Sequence, residues 1–554
     1  MDLESVAEFR EPDIKENMEK VKRLGITFGV HSETAATGVE MAELDSAIET
    51  DYKFGHDRLK EILERSGELG SKYVLIHASE SESFISLERH LQPSLLVDFF
   101  GNRLKEFLQK KENEWIIDWA LGGKTEDIEK VVHQVWLSKG KKITSQDIED
   151  IFKSNKIEPQ NFLWNDIVGR PLSEILRSRM EDRAEALEME TITDYEALPE
   201  DKKSAVNEQI RRALGFLLKD IKTSLFDYTQ SRHLGYGPER IAYYIIAKYM
   251  EKNNDPLWIN IIKKNYEYLA KVENKTADKW KISRGIKKDS VEDEQFRLLS
   301  YIWVTAVSAK YIWGHLNQDK NPMPNKYSDF KPTLKKYNMP LVLETPMARR
   351  GVEQWLRLAN PLQMYYLAKD IGSDYVQLAF DLEHMLSVRV DPEIVIDLMP
   401  SDGGKFVRVI HAGYPAALAP AHMQIPMGSE QQMYLYKMYY KLWKKGMGKE
   451  SDCFLVFERG APESMQQSII ALRKIKEFME QDIKPENLVN HPDFFGLAVG
   501  EIASPERQLS IITEHARDPL RGLIVVPEET YTSLGKAALE KGKRPEEWKK
   551  EELR

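Results

Sequence analysis

Six apolar runs in this chain stop on residue types that bind divalent metals: His31, His77, Glu344, Asp381, His411 and Glu458. The runs read GITFGVH, KYVLIH, MPLVLE, DYVQLAFD, KFVRVIH and CFLVFE, and most are rich in the β-branched and aromatic residues that favour strands. A single histidine or carboxylate in such a place is ordinarily a hydrogen-bonded loop residue. Six of them carry more weight in a chain with only 12 histidines. Imidazole nitrogens mixed with carboxylate oxygens suit a borderline divalent ion such as Zn, Mn, Fe or Mg. A bridging carboxylate could hold two ions together. Within LAFDLEHML the spacing Asp381-x-x-His384 leaves two readings open, because it fits one face of a helix as well as a metal site.

Residues this far apart converge only if a fold brings the ends of their runs together. Helical stretches such as HDRLKEILERSGELG and EQQMYLYKMYYKLWKKG separate most of the runs. Continuous apolar strands alternating with helices argue for a parallel α/β sheet. In a (β/α)8 TIM-type barrel every C-terminal strand end faces one mouth, where active sites lie. We therefore expect such a barrel. Residues 1–81 would form its first part, 82–323 an all-helical insertion, 324–484 its second part and 485–554 a C-terminal extension. The insertion is rich in Lys, Glu, Leu and Trp at helical spacing, as in LVDFFGNRLKEFLQKKENEWIIDWAL and PERIAYYIIAKYMEKN. A block this long would serve to lid the mouth, form a homo-oligomer or carry partner contacts.

Composition narrows the class. Apolar residues make up 42% and charged residues 30%, as in ordinary soluble globular proteins. No apolar run reaches the roughly 18 residues of a membrane helix; LLSYIWVTAVSAKYIWGHL is interrupted by Lys310 and reads as a buried helix. The acidic start MDLESVAEFREPD does not resemble a secretory signal. The lone Cys453 excludes an internal disulfide framework and any CxxC metal site. Together these point to a cytoplasmic protein with no membrane contact. The net charge of −10 disfavours a nucleic-acid partner, although a local basic groove would still permit one. Arg349 and Arg459 each follow a carboxylate-ended run by a few residues. Either could hold a substrate phosphate or carboxylate, or be a solvated loop arginine. GYGPER lacks the glycine spacing and lysine of a phosphate loop.

The order of these stations resembles the xylose-isomerase-like TIM barrels, a superfamily that includes sugar isomerases, ketose epimerases and endonuclease IV. HDRLKEILERSGELGSKYVLIHAS resembles the family's helix and strand ending in His; LVLETP, DLEH, VIHAG and LVFERG resemble its later stations. The resemblance covers about 25–80 and 325–480. It implies that Glu344, Asp381, His411 and Glu458 form a four-ligand set, with Glu344 and Glu458 also exchanging protons at carbon. It implies that His384 touches substrate or a further ion. His31 and His77 would be the extra ligands of a multinuclear zinc site, and His422 in PAHMQIPMG would be a ligand or substrate contact. Pro420 stands where endonuclease IV has an aspartate, and the apolar HAGYPAALAPAH lacks the epimerases' Glu and Arg. The run ending at His31 matches the family's third strand, so the barrel would be atypical in its first strands, with FFGLAV and GLIVV from the tail filling the gap. The implied activity is a metal-dependent sugar isomerase or epimerase acting on a small-molecule hydroxy-carbonyl substrate, with one to three ions, Zn or Mn foremost. The alternatives are a zinc-dependent phosphodiesterase and a non-catalytic barrel scaffold.

Overall fold

The structure is a computed structural model that describes residues 2–3, 11–32, 43–79, 96–139, 143–186, 199–226, 239–285, 301–347, 356–416, 419–457 and 462–496. Its strands are β1 (Asp2–Leu3), β2 (Gly29–His31), β3 (Val74–His77), β4 (Leu341–Glu344), β5 (Val376–Asp381), β6 (Val407–His411), β7 (Tyr414–Ala416), β8 (Ala419–Met423) and β9 (Phe454–Val456). Seven of them form one all-parallel sheet in the order β1-β2-β3-β4-β5-β6-β9, and β7 and β8 form a separate antiparallel ribbon. Each of the six apolar runs contains one strand of the sheet, two or more residues shorter than the run itself.

The closed eight-stranded barrel expected from the sequence is not what the chain builds. The sheet is an open half-barrel, and among the described residues no strand joins β9 back to β1. FFGLAV, expected to fill the gap, is described only as far as Gly496. Phe494 lies in a 3-10 turn, Pro492–Phe495, and is fully buried edge-on against Tyr436 and Phe478. Its apolar surface therefore covers helices instead of extending the sheet. GLIVV lies outside the described residues. At the other edge, Asp2 and Leu3 pair in parallel with Gly29 and Val30. Nothing in the acidic N-terminal pattern indicated that strand.

Helices cover the outer face. The first two are α1 (Ile14–Arg23) and α2 (Glu49–Leu69). The second buries Leu59, Ile62 and Leu63 on one stripe and stops at Gly70, whose positive φ of 81° makes the left-handed cap. Between β3 and β4 lies a block of helices running from Leu104–Gln109 onward. It includes α3 (Glu239–Lys252), α4 (Pro256–Val272) and α5 (Tyr301–Leu316). The Asp255 side chain caps α4, with Pro256 at its first position. Lys310, the polar interruption in α5, is buried 2.7 Å from Asp255 and 3.5 Å above the Trp313 ring. One contiguous core joins the block to the sheet: Trp164, Ile261 and Trp303 belong to the same cluster as Val30, Val74 and Leu343. After β4 come α6 (Pro361–Ile371), the short α7 (Leu382–Ser387), α8 (Glu430–Lys444) and α9 (Pro462–Glu480). Among the described residues no helix is long and apolar enough to cross a membrane.

Side chains alternate along a strand, so the sheet has two apolar faces. The inner one holds a small separate cluster of Tyr73, Leu75, Val342, Ala379 and Val409. Two residues further along each of β3, β4, β5 and β6, on that same face, stand His77, Glu344, Asp381 and His411. A polar layer thus sits directly on an apolar one. Gly29 stands two before His31 in the same way. A Cβ there would come within 2.2 Å of two carbons of the Tyr73 ring, so only glycine leaves that ring its place.

Candidate metal centre

Register brings the polar layer together. His77 is paired directly with Glu344, and Asp381 with His411. Glu344 is the hub, with no exposed surface. Its Oε2 lies 3.4 Å from His31 Nε2 and 3.5 Å from His77 Nε2. Its Oε1 lies 2.7 Å from His411 Nδ1. Asp381 Oδ2 is 3.8 Å from both His411 Nδ1 and His384 Nε2. The His31 ring packs edge-on to His77 and stacks near His411, and His77 packs edge-on to His384. Two triads have ligand atoms close enough to share an ion: His31, His77 and Glu344, and Glu344, Asp381 and His384. The carboxylate they share is the same one.

Several ring orientations are set by backbone groups. His31 Nδ1 is 2.8 Å from the Ser32 carbonyl, and His384 Nδ1 is 3.0 Å from the Thr345 carbonyl. A carbonyl only accepts, so each Nδ1 carries the proton and each Nε2 presents its lone pair to the cluster. Asp381 divides its oxygens between two tasks. Oδ1 accepts from the Glu383 and His384 amides at 2.7 and 2.8 Å and so caps α7, which leaves Oδ2 to the cluster. The helix reading of LAFDLEHML thus holds, and it leaves Oδ2 facing the neighbouring polar groups.

The site's electrostatics fit a cation. Both oxygens of Glu344 face imidazole nitrogens, and Oδ2 of Asp381 is buried with no hydrogen bond from any described residue. Buried carboxylate oxygens are rarely left that way, because the unmet desolvation cost is about 1–3 kcal/mol or more per group. Burial pushes the Glu344 pKa up, but His411, with His31 and His384, holds it well below the usual carboxylate range. The carboxylate is thus charged and inward-facing, with imidazole nitrogens on both sides. That donor set suits Zn or a similar borderline ion.

Five of the six expected strand-end ligands, His31, His77, Glu344, Asp381 and His411, therefore meet in one cluster, joined by His384. Glu458, Arg349 and Arg459 lie outside the described residues. His422 falls on β8, in the ribbon that follows β6, and its side chain is outside the described part. Two contributors were not foreseen, the carbonyls of Ser32 and Thr345. A backbone carbonyl leaves no signal in side-chain spacing. Desolvation of the Cys453 thiol pushes its pKa up to about 12, which leaves little of the reactive thiolate at neutral pH. Comparison with family models, with curated proteins and with solved structures returned no match.

Proposed function

We propose that this protein is a divalent-metal enzyme with a two-ion centre bridged by Glu344, and that it hydrolyses phosphate esters. One observation carries the reading: Glu344 turns Oε2 toward His31 and His77 and Oε1 toward His411, and it is the one residue shared by the two candidate triads. A carboxylate so placed would serve both ligand sets, and two-ion sites are characteristic of phosphatases and nucleases. Bound there, the ions would supply Lewis acidity at a phosphoryl oxygen and activate water.

The chain's own residues supply the rest. Glu344 places its negative charge between two ligand sets without side-chain motion, because β4 is buried along its whole length. His31 and His384 are held with Nε2 inward by the carbonyls of Ser32 and Thr345. The apolar layer of Leu75, Val342, Ala379 and Val409 seals the floor and keeps the local dielectric low.

A second reading, the sugar isomerase or epimerase suggested by the resemblance, is favoured by the half-set Glu344, Asp381 and His411. One ion there would polarise a carbonyl beside a carboxylate able to move the adjacent proton. Metal analysis separates the two. The hydrolase reading requires two ions per chain, one lost in His31→Ala and both in Glu344→Gln, together with turnover of an aryl phosphate ester. One ion, no ester cleavage and aldose–ketose interconversion would replace it with the isomerase.

A further inference from the structure

The loops leaving the strands that carry His31, His77 and Glu344 meet in one buried polar network together with two helices of the block. Asp45, in the loop after β2, is fully buried. Its Oδ2 accepts from Ser79, two residues beyond His77, at 2.5 Å, and from Ser308 of α5 at 2.7 Å. Its carbonyl accepts from the Tyr243 hydroxyl of α3 at 2.5 Å. Glu239, at the start of α3, accepts from the Ser46 hydroxyl at 2.7 Å and from the Ala47 amide at 3.1 Å. Arg357, in the loop after β4, pairs with Glu239 and donates to the Tyr243 hydroxyl at 3.3 Å. The junction between Ser79 and the ligands is short: the Ala78 amide donates to the Glu344 carbonyl at 2.9 Å, between the two residues.

We infer that Asp45 is a positioning residue of the metal centre, and that through it the packing of the helical block sets where His77 stands relative to Glu344. This rests on the metal centre proposed above. The argument is geometric. Ser79 is held by Asp45, and Asp45 is held in turn by a serine of α5 and a tyrosine of α3, so β3 cannot shift at its end unless the block shifts too. Asp45 Oδ1 accepts no hydrogen bond from any described residue. Buried polar networks of this kind are conformationally exacting, because each lost partner leaves a desolvated group behind. The long helical block is then one wall of the site's support.

The test is Co(II) titration of the full chain followed by visible absorption, with far-UV circular dichroism and thermal unfolding of the same samples. Ser308→Ala, which deletes one hydroxyl, and Ser79→Ala, which cuts the tie between Asp45 and the end of β3, should each weaken Co(II) binding by about tenfold, the low end for groups that orient metal ligands, with the dichroism unchanged. Asn265→Ala is the control. It cuts hydrogen bonds between α4 and α5 to Ile302 and Thr305, away from Asp45, and should leave the affinity within twofold. Wild-type affinity in Ser308→Ala and Ser79→Ala would overturn the inference and leave the metal centre standing. Equal weakening in Asn265→Ala would overturn it as general loosening. Absence of Co(II) binding by the wild type would overturn the metal centre and this inference together.

Discussion

Asp381 offers a clean separation of structural from metal-binding roles, because its two oxygens serve different partners. Asp381→Ala removes the cap of α7 and the cluster contact together. Loss of an N-cap costs about 1 kcal/mol. The Glu383 and His384 amides are left without their acceptor in a site where Asp381 is 1% exposed, which adds about 1–3 kcal/mol. A total of about 2–4 kcal/mol corresponds to a fall of several degrees in melting temperature for a chain of this size. Asp381→Asn keeps an oxygen that caps as well as aspartate but removes the charge. Without metal it should therefore melt within about 2 °C of wild type. With metal the two part company. Ligand at a hundred times its dissociation constant stabilises the fold by about 2.7 kcal/mol, and a hundredfold weaker site loses nearly all of that. The assay is thermal unfolding in chelator and in excess Zn(II). The expected pattern is that wild type gains with metal, Asp381→Asn starts level and gains little, and Asp381→Ala starts low and gains little. If Asp381→Asn gains as much as wild type, Asp381 is not a ligand. If Asp381→Ala melts with wild type in chelator, the cap contributes nothing.

Three further expectations follow from the same structure. His56 and His315 are buried with Nδ1 atoms 2.8 Å apart, and burial lowers both pKa values. A depressed pKa gives stability that is present above the unfolded value of about 6.5 and lost as pH falls through the folded value, so the melting temperature should drop on acidification below about pH 6.5 and drop less steeply in His315→Phe; a pH-independent melting temperature between 5 and 7 rejects this. Gly314→Ala would place a Cβ 1.5 Å from the Phe99 carbonyl oxygen, forcing α5 off its neighbour at a cost of about 1–3 kcal/mol or more, to be seen as loss of soluble expression or a large fall in melting temperature. Arg357→Ala leaves Glu239 buried without its partner, so destabilisation of about 3–5 kcal/mol is expected, and denaturant titration showing less than 1 kcal/mol would mean that the pair is relaxed in solution.

The strands were legible because buried parallel strands read as unbroken apolar runs, and the clustered polar ends because each run stops on a different chemical type from its body. Val74–His77 and Leu341–Glu344 illustrate both: apolar residues up to a final polar one. What eluded the sequence was of two kinds. The strand Asp2–Leu3 is too short to show a period, and its pairing with Gly29 and Val30 is decided by backbone geometry alone. FFGLAV has the composition of a strand, but Phe494 finds its burial between α8 and α9 instead, since tertiary packing overrides so weak a local preference. The network around Asp45 was invisible for another reason. Asp45, Ser79, Glu239, Ser308 and Arg357 are commonplace polar residues far apart in the chain, and only the fold reveals that they share one buried space.

The adjacency of β3 and β4 also bears on how the chain is made. Leu75 pairs with Val342, so the whole helical block must leave the ribosome before the third strand meets its neighbour. At about 5–20 residues per second that wait is on the order of ten to fifty seconds. Meanwhile the apolar edge of β3 stands unpaired, a template for association with other chains. A helical block closes mostly local contacts and so folds fast. Its prompt folding during synthesis would shield that edge and bring it to its partner, making the block a built-in chaperone for the sheet it interrupts.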